Sequence, residues 1–224
     1  MNSSQEQTLN VLFLGGGKRV SLARRFVEAG NKINKNVNIF SYELNHQQPI
    51  SVVGKIIEGK LWSDPDAVAH VLETLVENEI DLLVSNVDPA LKIHAALKDK
   101  HPSAKYCSEL PQIEICDSKK RFQSKCEDLG LPVIPAWDRQ SFPMLAKPDF
   151  GSASRDVHIF NDKRELEESG LMESDSFCLQ KYIRGNEFTV DAYISQAGET
   201  LAVSPRIRVE TLGGESVETE TIFD

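Results

Sequence analysis

Short apolar runs separated by amphipathic stretches dominate the first half of the chain, and this alternation predicts a strand-helix-strand order. Asn10 to Leu14 reads as a buried strand that runs into Gly15, Gly16 and Gly17. Ser21 to Ala29 has helical periodicity and is closed by Gly30 and Asn31. Val37 to Tyr42 forms a second strand. Between Asp66 and Asn78, the residues Val68, Val71, Leu72, Leu75 and Val76 recur at the spacing of one helix face. Ile80 to Val84 gives a third strand, Pro89 to Lys98 a helix, and Ala104 to Tyr106 a last short strand. These elements predict a small doubly wound α/β sheet. Near Leu110 and Pro111 the pattern changes to a helix followed by antiparallel hairpins, so domains over 1–110 and 111–224 are expected. In the second part Phe142 to Ala146 and Val157 to Phe160 read as strands. Phe177 to Ile183 and Glu187 to Ile194 read as a hairpin turning at Gly185. No internal repeat or low-complexity stretch is visible.

Composition narrows the classes. A chain of 224 residues suffices for two modest cores. A formal charge of -9 and a sequence pI near 5.1 argue against a nucleic-acid surface, which clusters cations on a basic domain. Cys107, Cys116, Cys126 and Cys178 lack paired metal-ligand spacing, and read as thiols of a reducing compartment. The start, MNSSQEQTLN, has no apolar signal core, and no stretch approaches the roughly 20 apolar residues of a membrane span. A cytoplasmic protein without nucleic-acid or membrane partners is expected.

The candidate chemistry lies in the second half. In LAKPDFGSASRDV, from Leu145 to Val157, Lys147 projects from a strand end where a desolvated ammonium can hold an anion. Gly151, Ser152, Ala153 and Ser154 have small side chains or none, which lets backbone N–H groups approach a phosphate. A strand follows the turn rather than a helix, which excludes a Walker-type loop. An ordinary hairpin with a rim lysine fits these residues equally well on their own. In LQKYIRGNEFTVD, from Leu179 to Asp191, the backbone of Lys181 to Ile183 can meet an adenine edge, and Glu187 can accept two ribose hydroxyls. A surface hairpin with a solvated Glu187 is the bland alternative. In the first half, GGGKRV from Gly15 to Val20 with Glu43 offers an incomplete dinucleotide fingerprint.

Four segments, in order, resemble the ATP-grasp enzymes, and within them the carbamoyl-phosphate synthase large-subunit-like proteins. DSKKRFQSKCEDLGLPVIP, from Asp117 to Pro135, is similar to the family's lysine-bearing helix, with Lys119 matching the first phosphate-binding lysine by its spacing to Gly130. Lys147 matches the second lysine and Gly151 to Ser154 the glycine-rich loop. Gln180 to Ile183 matches the adenine hinge, with Glu187 as ribose carboxylate. VSPRIRVETLGG, from Val203 to Gly214, resembles the arginine-bearing strand that follows. Departures are Ser118 in place of an acid, Gln180-Lys181 in place of Gln-Glu, and a serine-rich loop with Ala153 in place of glycine.

The resemblance implies a Rossmann-like pre-ATP-grasp domain that binds no dinucleotide, followed by an incomplete α+β ATP-grasp domain. Lys18, Arg19, Glu43 and Asp88 would be cleft residues, with capping or solvated charge as the equal alternative. It implies ATP and Mg²⁺ as cofactors, with Lys119 and Lys147 on the α- and β-phosphates under the Gly151 to Ser154 loop. Gln180, Lys181, Tyr182 and Ile183 would hold adenine. Arg206 and Arg208 would be the catalytic pair, facing the γ-phosphate or an acyl phosphate formed on a small carboxylate or bicarbonate. Arginine suits that task because its planar fork bonds two oxygens at once. A cross-strand ion pair of Arg206 with Glu210 or Glu218 is the structural alternative. The family's magnesium ligands lie on late strands, an acid and then a glutamate-x-asparagine pair, and the chain reaches Asp224 without them. No metal ligand is therefore expected here, and a truncated or split ligase, inactive alone, is the expected state. A C-terminal partner chain would complete it, and a homo-oligomer is a separate expectation. Two other readings stay open: a non-catalytic nucleotide-binding or regulatory module, and a nicotinamide-dependent oxidoreductase using Gly15 to Gly17.

Overall fold

A computed structural model describes residues 7–151, 155–212 and 215–222. The chain divides into two compact units, Met1–Glu114 and Ile115–Asp224. The division falls inside a helix that begins at Leu110 rather than ahead of it.

In the first unit, β1 (Gln7–Leu14), β2 (Lys35–Glu43), β3 (Lys55–Glu58) and β4 (Leu82–Ser85) form an all-parallel sheet in the order β3-β2-β1-β4. Helices α1 (Val20–Lys32), α2 (Ala67–Glu77) and α3 (Asp88–Leu97) cover it. The uninterrupted apolar run of β1 follows from burial on both faces. Val11 and Phe13 pack with Ile39 and with Ala23 of α1, whereas Leu12 and Leu14 pack with residues of α2 and α3.

Two features differ from the sequence reading. Residues 102–104 form a 3-10 turn rather than a strand, because Pro102 fixes φ and supplies no ladder N–H. Strand β3 has too short and too charged a sequence, KIIE, to announce itself. It is followed by Gly59, where a Cβ would lie 2.3 Å from the Tyr42 ring, so glycine permits that close approach.

His94 on α3 is 2 % exposed, and its Nδ1 shares a hydrogen bond with Ser85 Oγ at 3.0 Å. Burial, assisted by the charge of Lys98, holds its pKa below the ordinary 6.5. The unfolded chain therefore binds this proton more readily than the folded one. The stabilising contribution is complete above about pH 6.5 and is lost as pH falls through the lower folded value. Thermal melts at pH 7.5 and 5 should show a loss of stability on acidification that is smaller in His94→Asn. Parallel losses in the two proteins would place the titration elsewhere.

The second unit contains α5 (Lys119–Asp128), reached through α4 (Leu110–Asp117) and a break at Ser118. Ser118 is the N-cap of α5: its backbone is extended and its Oγ accepts from Arg121 N–H at 3.2 Å. Strands β5 (Met144–Pro148), β6 (His158–Phe160) and β7 (Phe177–Lys181) form an antiparallel sheet in the order β6-β5-β7, and α6 (Lys163–Ser169) packs Leu166 into its core. Trp137, Met144, Ala146 and Phe160 complete that core. A second antiparallel sheet contains β8 (Phe188–Ile194), β9 (Thr200–Leu212) and β10 (Glu215–Thr221), in the order β10-β9-β8.

The hairpin expected across Gly185 does not form, since β7 and β8 belong to different sheets. The free side of β7 is taken by the segment at Pro135 to Trp137, through Lys181 N–H to Pro135 O at 3.0 Å and Trp137 N–H to Leu179 O at 2.9 Å. The register of β8 on β9 separates two faces, with Thr189 opposite Arg206 on one and Phe188 opposite Ile207 on the other. On the apolar face Phe188, Val190 and Val203 are exposed. Among the described residues no helix is long and apolar enough to cross a membrane.

Candidate functional site

Lys147 is the next-to-last residue of β5, paired in register with Cys178 of β7, and its side chain is half-buried. Burial is the main cause that lowers its ammonium pKa from 10.5, and the nearby charge of Lys119 lowers it further. The charges of the two amines thus oppose each other, an arrangement that an anion relieves.

Lys119 opens α5. Its Nζ donates to Asp149 O at 3.2 Å and to Gly151 O at 2.9 Å, and its backbone N–H donates to Asp149 O at 3.1 Å. The start of the small-residue loop is therefore tied to the lysine of a helix some 30 residues earlier. Gly151 has φ +114, a conformation that favours glycine. Ser152, Ala153 and Ser154 lie outside the described residues.

Asp149 organises this junction. Its carboxylate is 8 % exposed and accepts from Ser118 Oγ at 2.9 and 3.0 Å, Lys120 N–H at 2.8 Å and Cys178 Sγ at 3.7 Å. Burial alone would raise its pKa, but those hydrogen bonds outweigh it and hold the carboxyl below the usual aspartate value. Burial and the adjacent Asp149 push the Cys178 thiol up, which leaves it protonated as a donor. The sequence reading passed over Asp149 because its partners come from α5 and β7, and no local pattern marks it.

A cavity of about 310 Å³ lies beside the lysines, a size typical of small-ligand sites. Phe122, Pro132, Val133 and Ile134 supply its apolar lining, and Lys119, Lys147, Gln123 and Gln180 its polar groups, with Cys116 also at the wall. Lys119, Lys147 and Gln180 are thus brought together as the sequence suggested, while Gln123 and Cys116 were not anticipated.

The remaining expected residues are placed differently. Lys181 cannot offer its backbone N–H to a base, because Pro135 O accepts it. Of the segment Lys181 to Ile183, the backbones of Tyr182 and Ile183 make no such backbone hydrogen bond among the described residues. Glu187 pairs with Arg208, whose Nε also donates to Ser216 Oγ at 2.7 Å. Arg206 pairs with Asp191 at 2.8 Å rather than with Glu210 or Glu218. The carboxylate read as a ribose acceptor and one arginine read as catalytic are each other's partners. Among the described residues no group of three His, Cys, Asp or Glu side chains could hold a metal ion.

In the first unit Glu43 accepts from Ser41 Oγ at 2.6 Å and lies against the glycine turn, where a Cβ on Gly17 would be 3.0 Å from its Oε2. Lys18, Arg19 and Asp88 are exposed.

No family model and no curated protein matches the chain. Solved structures do match in fold. An L-amino acid ligase from Bacillus licheniformis superposes with a TM-score of 0.62 at 18% identity, over 93% of this chain and 52% of that one. The N5-carboxyaminoimidazole synthetase from Staphylococcus aureus complexed with ADP gives 0.66 at 14%, over 93% and 57%. The biotin carboxylase domain dimer of Hydrogenobacter thermophilus 2-oxoglutarate carboxylase, in complex with MgADP, ADP and bicarbonate, gives 0.67 at 14%, over 92% and 51%. The chain spans about half the length of these proteins.

Proposed function

We propose that this chain, which has the ATP-grasp fold, binds ATP in the cavity of its second unit and supplies the nucleotide-binding part of a carboxylate-activating ligase. The observation that carries this reading is the pair of lysines, Lys119 and Lys147, close to each other at a ligand-sized cavity beside Gly151. In the reaction the γ-phosphoryl group passes from ATP to a carboxylate or bicarbonate oxygen, giving ADP and an acyl phosphate. An amine then displaces phosphate. Such a step needs positioning and charge neutralisation more than covalent help from the protein. The lysines hold the phosphates, the apolar wall of Phe122 and Ile134 receives the base, and Tyr182 and Ile183, which follow the lining residue Gln180 in the chain, would meet its edge. Residues 1–110 serve as the Rossmann-like pre-ATP-grasp domain and 111–224 as the front of the ATP-grasp domain, in the arrangement of carbamoyl-phosphate synthase-like proteins.

Among the described residues no group of three or more His, Cys, Asp or Glu side chains forms a platform for the Mg²⁺ that such ligases use with ATP. We assign that site, and the completion of the cavity, to polypeptide matching the other half of the neighbours, in the same chain or in a partner. The four free cysteines and the acidic charge suit a reducing cytoplasm. A nucleotide-binding module without chemistry is the second reading. The ion pairs that occupy Arg206 and Arg208 favour it.

Calorimetric titration with ATP tests the proposal, and 2′-deoxy-ATP adds a test of Glu187. Glu187→Gln is expected to weaken ATP several-fold and 2′-deoxy-ATP less, because the deoxy compound already lacks one hydroxyl. Loss of the Glu187–Arg208 pair should hardly change the melting temperature, since such a surface pair contributes about 1 kcal/mol or less. Equal losses for both nucleotides would remove the ribose role.

A further inference from the structure

We infer that Gln123 is a positioning residue that fixes the amide of Gln180 so that the cavity accepts a base bearing an amino group and rejects one bearing a keto group. The inference rests on the nucleotide reading of the cavity and adds to it a rule for the base.

Gln180 is 6 % exposed, belongs to β7 and lines the cavity. Its Nε2 donates to Gln123 Oε1 at 2.8 Å, and Gln123 Nε2 donates to Glu127 Oε1 at 3.0 Å. Gln123 and Glu127 are one turn apart on α5, so they meet on one face of the helix. The polarity of this chain is set by chemistry. An ionised carboxylate only accepts hydrogen bonds, whereas an amide has a donor end and an acceptor end. Glu127 therefore draws the NH₂ of Gln123 and turns its carbonyl towards Gln180. That carbonyl in turn draws the NH₂ of Gln180. Reversing either amide would set oxygen against oxygen. Among the described residues no group donates to Gln180 Oε1, and this oxygen is not sealed from solvent, so it stands open to a ligand in the cavity. An exocyclic amino group satisfies it, as in adenine. A keto oxygen, as in hypoxanthine or guanine, leaves two acceptors facing each other once the bound base has displaced water, and such a site rejects the wrong partner.

The experiment compares the affinities of ATP and ITP, which differ at this amino group, for the whole chain by calorimetry. The wild type is expected to bind ATP at least about tenfold more tightly than ITP. Gln123→Leu frees the Gln180 amide to turn and should bring the ratio close to one. Gln123→Lys donates to Gln180 Oε1, presents the NH₂ to the cavity, and should shift the preference towards ITP. Melting temperatures of the variants establish that they are folded, and a purely structural role for Gln123 would not move the ratio. Equal binding of ATP and ITP by the wild type, or an unchanged ratio in both variants, overturns the relay while leaving the nucleotide reading in place. Failure of both nucleotides to bind overturns the two together.

Discussion

Lys147→Ala is expected to weaken ATP binding by about 10- to 150-fold, the equivalent of the 1.5 to 3 kcal/mol of a charge-assisted phosphate contact. The fold should survive. The side chain is only half-buried at the end of β5, and its ammonium is held at a cost beside Lys119, so removing it relieves repulsion in the unliganded protein. Lys147→Arg should recover little, because a planar fork does not replace a compact charge at that depth. A pH dependence follows from the same cause. The ammonium is the form that would hold phosphate, and its pKa lies below 10.5, so ATP affinity should fall as pH rises through that lowered value. In Lys147→Ala this fall should be absent. An unchanged dissociation constant in the folded variant would remove the lysine and its loop from the site.

Sequence legibility followed locality. Lys147, Pro148 and the small residues after Gly151 are contiguous, so a charged strand end and a close-approach turn could be read together. The apolar runs at Asn10 to Leu14 and Ile80 to Val84 were equally plain, because strands buried on both faces have no alternation to obscure them. Pairing was less accessible. β7 and β8 look like a hairpin across Gly185, yet the edge that β8 would need is held by Pro135 to Trp137, about 40 residues earlier, and nothing near Gly185 signals that competitor. Asp149 was missed for a related reason. Its donors, at Ser118, Lys120 and Cys178, come together only after α5 and β7 have packed. The lysines stood out as charges, whereas the Glu127–Gln123–Gln180 chain is polar side chains whose meaning lies in their orientation.

Residues 1–224 alone are expected to release ADP from ATP negligibly, even with Mg²⁺ present. The argument is electrostatic first. In the proposed binding mode Lys119 and Lys147 would offset part of a triphosphate's charge, but Arg206 and Arg208 are held by Asp191 and Glu187, and among the described residues no group of three or more His, Cys, Asp or Glu side chains could hold a metal ion. The transferring phosphoryl group then lacks the stabilisation on which this chemistry depends. It is also a matter of packing. On the second antiparallel sheet, Phe188, Val190 and Val203 present an apolar face that is 51%, 59% and 55% exposed at these residues, an arrangement that is stable when further polypeptide covers it. The solved structures of this fold carry nearly as much chain again, since 51% to 57% of their length is matched. Supplying the corresponding segment, fused or as a separate chain, should raise ATP affinity and start ADP release that depends on a carboxylate or bicarbonate acceptor. A time course of ADP formation with and without that segment makes the comparison. Robust Mg²⁺-dependent turnover by residues 1–224 would show that the metal is held by groups on this chain, with Glu218 and Glu220 on β10 the first to replace.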